Sequence, residues 1–416
     1  MIAALPFIGI LLSFALLPGL APRFWHRHRA PVILTWVLLG VGLTTITGGL
    51  GTALLGLWRA SLVEFMPFMA LLLALYALGG GIAVKGGPWG RPEGNLLLLA
   101  IGTILASIMG TIGASLLLIH PLLAANGHRQ EKRHLVLAFI ILVGNCGGAL
   151  SPLGDPPLLV GYLRGVPIMW PLMHLWAPLA VLAIPILALT YALDRHFAKA
   201  EVAPKPARLR VRGIINIVLL VGLCAAIPLS GLWRSQPVII LHAAIPGAQL
   251  ALLALEIAII AISEALTPRA IRTQNRFAWG AMREITILFF AIFATITPVF
   301  ALLQSAALPQ IPALWFWASG IASAVLDAAP TYLIFFQAAG GHAATLITPP
   351  AHLLTALAAG SVFFGPVTYL GNAPNLMVRE IASRRGVKMP GFLTYAAIMV
   401  VILTPIYVVL TMMFYW

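Results

Sequence analysis

Charge is scarce in this chain. Only 9% of its 416 residues are charged, and 11 acids face 25 Lys and Arg; a soluble domain carries about 25% charged residues. That scarcity excludes an ordinary soluble globule. Cysteine is nearly absent as well: Cys146 and Cys224 sit in apolar segments without a pairing motif, so both read as small hydrophobes. Missing too are HExxH, a nucleophile elbow, CxxC and a Walker loop. No loop is long enough to fold as a nucleotide-binding domain. These absences exclude the common hydrolases, redox enzymes and ATP-driven pumps, and the chain reads as a non-enzyme with no bound cofactor.

What is present is apolar. Hydrophobic residues make up 61% of the chain, with a mean hydropathy of +1.00. Many segments run for about 18 uncharged residues or more, long enough to cross a hydrocarbon core of about 30 Å. The fold class expected is an all-α polytopic membrane protein. In MIAALPFIGILLSFALLPGLAPRFWHRHR the basic residues follow the apolar run, so it reads as a retained first span rather than a cleaved signal peptide. A net charge of +14 would suggest nucleic acid for a soluble protein. In a membrane protein it marks cytoplasmic loops, and no nucleic-acid partner is expected.

The basic residues then fix an orientation. Loops at 22–30, 85–93, 127–133, 194–212, 267–283 and 379–390 hold 22 of the 25 Lys and Arg; Arg59, Arg164 and Arg234 fall in the others. The first set is assigned to the cytoplasm, with both termini outside, as for a multi-pass protein of the inner (plasma) membrane. Residues 94–126 lie between two basic loops yet are too long for one crossing. A re-entrant hairpin with its tip near MGTIGAS resolves the conflict, since non-helical backbone is tolerated at depth where it is buried in protein.

The second half carries similar features. ASIMGTIGASLLLI (106–119) aligns on ASAVLDAAPTYLIF (322–335), pairing Thr111 with Asp327 and Ser115 with Thr331. PLGDPPLLV aligns on YLGNAPNLMV, pairing Asp155 with Asn372, and each motif precedes a Gly-Val pair. The charges orient the two sets oppositely. The reading is two inverted-topology repeats, each with a re-entrant hairpin and a broken transmembrane helix, the signature of a secondary transporter. The first repeat covers 1–193, with a hairpin at about 94–126 and a broken helix at about 134–163. A basic cytoplasmic linker at 194–212 leads to the second repeat, 213–416, with a hairpin at about 307–346 and a broken helix at about 349–378.

Chemistry is expected at the four breaks, where helix ends expose N–H groups to anions and C=O groups to cations. Asp155, before two prolines, can hold a cation or a proton; intramembrane carboxylates are costly and usually functional. Asp327 at the second tip has the same argument. For both, capping the next half-helix is the competing structural role. Asn145, Asn372 and Asn375 can coordinate an ion or substrate. Thr111, Ser115, Ser151 and Thr331 offer hydroxyls, which equally bond back to helix carbonyls. Glu256 within a span and His120 before Pro121 are secondary proton-carrier candidates. Glu64, Glu264 and Glu284 fall near span ends and read as interfacial.

GTIGAS (110–115), LSPLGDPP (150–157), LDAAPTY (326–332) and GNAPN (371–375) resemble, in order, the motifs of the ion transporter superfamily. The resemblance is to the branch of NhaD-like sodium/proton antiporters and citrate transporters. It implies scaffold and transport domains, a homodimer in the lipid bilayer and elevator-type alternating access. Ile112 and Ala328 stand where the branch has a polar residue in each tip, which removes one expected ligand beside Asp327. Two acids in the breaks favour a sodium (cation)/proton antiporter, with Na⁺ and H⁺ as the transported species at Asp155 and Asp327. The alternative is a Na⁺- or H⁺-coupled carrier of citrate or dicarboxylate anions.

Overall fold

The apolar runs fold as helices, because in a hydrocarbon core every backbone N–H and C=O must be satisfied within its own segment. The computed structural model describes the chain except residues 1, 199–206, 234, 241–242, 305–308 and 349–351. Part of the 194–212 linker, the start of the second expected hairpin, the first residues of the broken helix near 349 and Arg234 therefore lie outside the described residues. Among the described residues, seven helical segments are long and apolar enough to cross a membrane.

The first half begins with α1 (Leu5–Leu20), α2 (Pro22–Arg59) and α3 (Met66–Gly80), the last two joined by a π-helical turn at Ala60–Phe65. Arg59 does not lie in a loop as the charge pattern suggests: the chain breaks earlier, at Gly49 (φ 83°). Only glycine adopts that conformation without strain, and Gly48, Gly49 and Gly51 supply a weak point in the helix. Next come α4 (Pro92–Met109) and α5 (Thr111–Ala125), which meet at Gly110 and pack on each other. Helix α6 (Arg133–Leu142), a 3₁₀ turn at Cys146–Leu150 and α7 (Pro156–Leu163) follow with breaks between them, and α8 (Trp170–Ala198) completes this half.

The second half holds α9 (Ile214–Leu232), α10 (Gly247–Leu266), α11 (Arg269–Gln274), α12 (Trp279–Thr295) and α13 (Thr297–Gln304). Helices α14 (Pro312–Leu326) and α15 (Ala328–Ala338) meet at Asp327, followed by α16 (Ala343–Leu346). Helix α17 (His352–Phe363), a 3₁₀ turn at Gly365–Val367 and α18 (Ala373–Arg384) follow with breaks between them, before α19 (Phe392–Leu410). The fold is not wholly α. Strand β1 (Ala83–Gly87) pairs antiparallel with β2 (Ala207–Arg212), and β3 (Pro237–Ile240) with β4 (Ala243–Pro246). Both are short two-stranded pairs between helices, in segments the apolar pattern leaves open.

Packing ties the halves together. Helix α7 packs on α15, and α18 packs on α5 and α6, while α3 packs on α9 and α10 on one side and on α5 on another. Two small clamps fix the ends of these groups. Asp194 of α8 accepts from Arg129, from His134 Nε2 at 2.9 Å and from Asn95 Nδ2 at 2.9 Å. At the end of α3, Arg272 donates to the Ala77 carbonyl, and Asn275 to those of Gly80 and Ile82. Buried side chains thus satisfy helix-terminal carbonyls that the lipid could not.

Candidate functional site

The four breaks come within reach of one another, through a local geometry that recurs 217 residues apart. In the first half the Ser151 hydroxyl donates to the Ser107 carbonyl and accepts from Leu153 N–H at 3.1 Å. In the second, the Thr368 hydroxyl donates to the Ala324 carbonyl at 2.5 Å and accepts from Leu370 N–H at 3.0 Å. Each hydroxyl fastens an unwound segment to the neighbouring helix end. Two glycine pairs make the same close approach: a Cβ on Gly154 would stand 2.1 Å from the Gly148 carbonyl oxygen, and one on Gly371 2.5 Å from that of Gly365.

This recurrence corrects the hairpin alignment by one residue. Asp327 (φ 81°, ψ 146°) has the backbone conformation of Gly110 (φ 81°, ψ 149°), not that of Thr111, which is the first residue of α5. Thr111 then corresponds to Ala328 and Ser115 to Tyr332. The break between two helices demands this unusual φ/ψ pair, which outweighs side-chain likeness in setting the register. For a residue with a Cβ that conformation costs on the order of 1–3 kcal/mol, and such strain clusters at functional sites.

The motif ends match too. After α7, Val166 N–H bonds the Gly161 carbonyl and Gly165 N–H that of Tyr162; after α18, Val387 bonds Ala382 and Gly386 bonds Ser383. Both are Schellman caps, with glycine at positive φ (94° and 80°) and a buried valine behind it. That is the physical content of the two Gly-Val pairs. Helix α18 is longer than α7 by four residues, about one turn.

Asp155 precedes Pro156 and Pro157, so its backbone is extended (φ −141°, ψ 139°) and its carboxylate reaches the junction of the halves. It is fully buried. Its Oδ1 accepts from Asn372 Nδ2 at 3.0 Å and from Thr111 Oγ1 at 3.2 Å. Its Oδ2 has no hydrogen-bond partner. Asp155 and Thr111 line a cavity of about 20 Å³ with Gly110, Gly113 and Gly154, close to the least volume that admits one water-sized particle, about 10–15 Å³. Asn145 Nδ2 donates to Asn375 Oδ1 at 2.7 Å and to the Ile140 carbonyl, while Asn375 Nδ2 holds the carbonyls of Gly365 and Thr368. Asn145 Oδ1 has no partner, and a Cβ on Gly365 would press it at 2.4 Å.

Asp327 belongs to the same neighbourhood through Asn372. Both line a cavity of about 380 Å³ that also touches Trp25, Arg29, Glu284 and Tyr369. Asp327 Oδ1 accepts from Ala329 N–H at 3.2 Å, so it does cap α15. Thr331 donates back to the Asp327 carbonyl at 2.8 Å, and Ser151 is bound to Ser107; both hydroxyl protons are committed to backbone. Ser115 is buried in α5 with its hydroxyl unpartnered. Among the described residues no three His, Cys, Asp or Glu gather as a metal centre. A cation held here would draw on amide, hydroxyl and carbonyl oxygens beside the acids.

Two candidates stand apart from this cluster. His120 lies nine residues beyond Thr111 on α5, about 13 Å along the helix, and lines a different cavity. Glu256 is buried on α10, whose main neighbours are α3, α9 and β4. Conversely, no local motif points to Ser107, Thr368 or the Gly148 and Gly365 contacts. Arg29 and Glu284, counted only as a loop charge and a span-end acid, form an ion pair lining the larger cavity; nothing in their sequence neighbourhood signals it.

Among the described residues, seven helical segments long and apolar enough to cross a membrane mark a multi-pass membrane protein. A family model described as "Putative citrate transport" matches residues 1–415, and the chain belongs to that family. A search of curated proteins gave no match.

Proposed function

We propose that this protein is a secondary active transporter built from two inverted repeats, 1–193 and 213–416, each with a re-entrant hairpin (α4–α5, α14–α15) and a broken helix. Support for the repeat comes from the Gly110/Asp327, Gly154/Gly371 and Ser151/Thr368 correspondences. Support for opposite orientation comes from the basic-loop pattern, which also puts the termini outside a cell inner membrane. Elevator movement and a homodimer follow from the family resemblance.

The reading for substrate is cation/proton antiport, most simply Na⁺ for H⁺. One observation carries it: the buried Asp155 has an oxygen without a protein partner, beside a cavity sized for a single particle. A carboxylate that holds a cation in one state and a proton in the other couples the two by competition. Asn372 and Thr111 hold its other oxygen, so the carboxylate is fixed while its occupant changes.

A second reading, a cation-coupled carrier of citrate-like anions, has its own support. The cavity of about 380 Å³ at Asp327 and Asn372 falls in the range for small-molecule ligands, Arg29 lines it, and the family description names citrate. In that reading Asp155 binds the coupling cation and Arg29 leaves Glu284 to meet the substrate. Proton flux in everted vesicles on adding Na⁺, Li⁺, K⁺ or citrate separates the two. Antiport requires a cation response that Asp155→Asn abolishes; a response to citrate and to no cation alone overturns it in favour of the carrier.

A further inference from the structure

A second cavity holding polar groups lies away from the breaks. About 720 Å³ of space lies where α5 and the end of α18 meet β1 and α11. Its lining brings together Lys85, His120, His128, Gln274 and Arg385, with Trp89, and contains no acid. His120 is 5% exposed, and neither ring nitrogen makes a hydrogen bond; the Asn275 main chain faces the ring without reaching bonding geometry. The indole Nε1–H of Trp89 is likewise buried and unpartnered. Buried polar groups are ordinarily paired, because each orphan costs about 1–3 kcal/mol.

The charge arrangement is also costly as it stands. Lys85 of β1 is directly opposite Arg210 of β2, and like charges opposed across a strand pair destabilise it. Neither makes an ion pair among the described residues, whereas Arg129, Arg164 and Arg272 elsewhere in the protein do. A multivalent oxyanion held in the cavity would offset the charge on Lys85 and give the buried His120 and Trp89 N–H groups an acceptor. Lys and Arg would meet its charge, and the imidazole and indole N–H groups its inner oxygens.

We propose that the cavity bounded by Lys85, His120, His128 and Arg385 is an oxyanion site, distinct from the transport site, for a phosphate-bearing ligand. The phosphate belongs to a soluble anion or to an anionic lipid headgroup; basic groups at a membrane surface attract the latter.

Thermal unfolding of the full-length protein in zwitterionic-lipid nanodiscs tests it, titrated with inorganic phosphate against chloride at matched ionic strength. Wild-type protein is expected to gain stability with phosphate and not with chloride, as mass action requires of a ligand bound only by the folded state. The exposed-residue double variant Lys85→Gln/Arg385→Gln should fold and need at least about tenfold more phosphate for the same gain. His120→Gln should weaken the response in the same direction. A repeat in nanodiscs containing phosphatidylglycerol separates the sources. Stabilisation there, with the phosphate response lost, assigns the site to a lipid headgroup; an undiminished phosphate response assigns it to a soluble anion. Equal responses to phosphate and chloride without a lipid effect would overturn the proposal. So would a double variant that behaves as wild type.

Discussion

The unwound stretch before α7 ends on Asp155 and the one before α18 on Asn372, with nearly the same extended backbone at both. At the helix–helix tips the assignment reverses: Gly110 in the first half, Asp327 in the second, with the same φ and ψ. Each half therefore carries one acid at a different kind of break. The two acids also differ in how they are held. Asp155 is gripped by side chains from both halves, Thr111 and Asn372, and is fully buried. Asp327 caps its own helix and lines a wide cavity. A shared backbone plan thus supports two unlike sites: a closed one with a fixed carboxylate and an open one with a strained carboxylate.

Breaking the closed site should have the largest effect. Asp155→Asn keeps the shape, but it carries no negative charge to balance a cation and cannot take up a proton. Ion-dependent flux in vesicles is expected to fall to background while the protein remains folded by circular dichroism and gel filtration. Asn372→Asp sharpens the comparison by making the second half resemble the first. It sets a second acid against Asp155 in place of a donor, and transport should again be lost, now with lowered stability, since like charges in a low-dielectric site repel strongly.

Next in size are the glycine pairs. Gly154→Ala drives a methyl group into the Gly148 carbonyl, and Gly371→Ala into that of Gly365, at 2.1 and 2.5 Å before relaxation. Backbone on both sides leaves little room to give. Each should cost about 1–3 kcal/mol, with Gly154→Ala the worse, measured as the unfolding midpoint in detergent. If only one of the pair is sensitive, the correspondence between the two breaks is superficial.

Asn145→Ala tests the join between halves. It removes two 2.7 Å bonds and leaves Asn375 Oδ1 and the Ile140 carbonyl each short of a donor. A loss of about 1–3 kcal/mol is expected, again from the unfolding midpoint. Asn375→Ala should cost no less, because Asn375 also holds the carbonyls of Gly365 and Thr368.

Helix positions and break positions were largely legible in the sequence. The stretches 94–126 and 134–163 hold α4–α5 and α6–α7, with breaks at Gly110 and before Pro156, because apolar run length and Pro or Gly punctuation act locally. The off-by-one pairing of Thr111 with Asp327 arose because side-chain likeness was matched where φ and ψ decide. The Asn145–Asn375 and Asp155–Asn372 bonds span 230 and 217 residues, and no local pattern encodes such contacts. Arg29 shows the same limit: its charge was visible, but its place beside Asp327's cavity depends on how α2 packs on α12.

The smallest stability change expected is also the one that bears most directly on why Asp327 is there. Asp327→Gly should release backbone strain of about 1–3 kcal/mol, and replacing an Asp cap with Gly forfeits only a few tenths. The unfolding midpoint should therefore rise, by about 1 kcal/mol in stability, even as transport falls. The reciprocal change, Gly110→Asp, meets no close neighbour, since its Cβ would be 3.4 Å from the nearest atom. Its cost is conformational, and stability should drop by a similar amount. A stabilised but inactive Asp327→Gly protein would mean that the second half accepts a strained backbone for the sake of its carboxylate. An unchanged or lowered midpoint would make the cap, not the cavity, the reason for that acid.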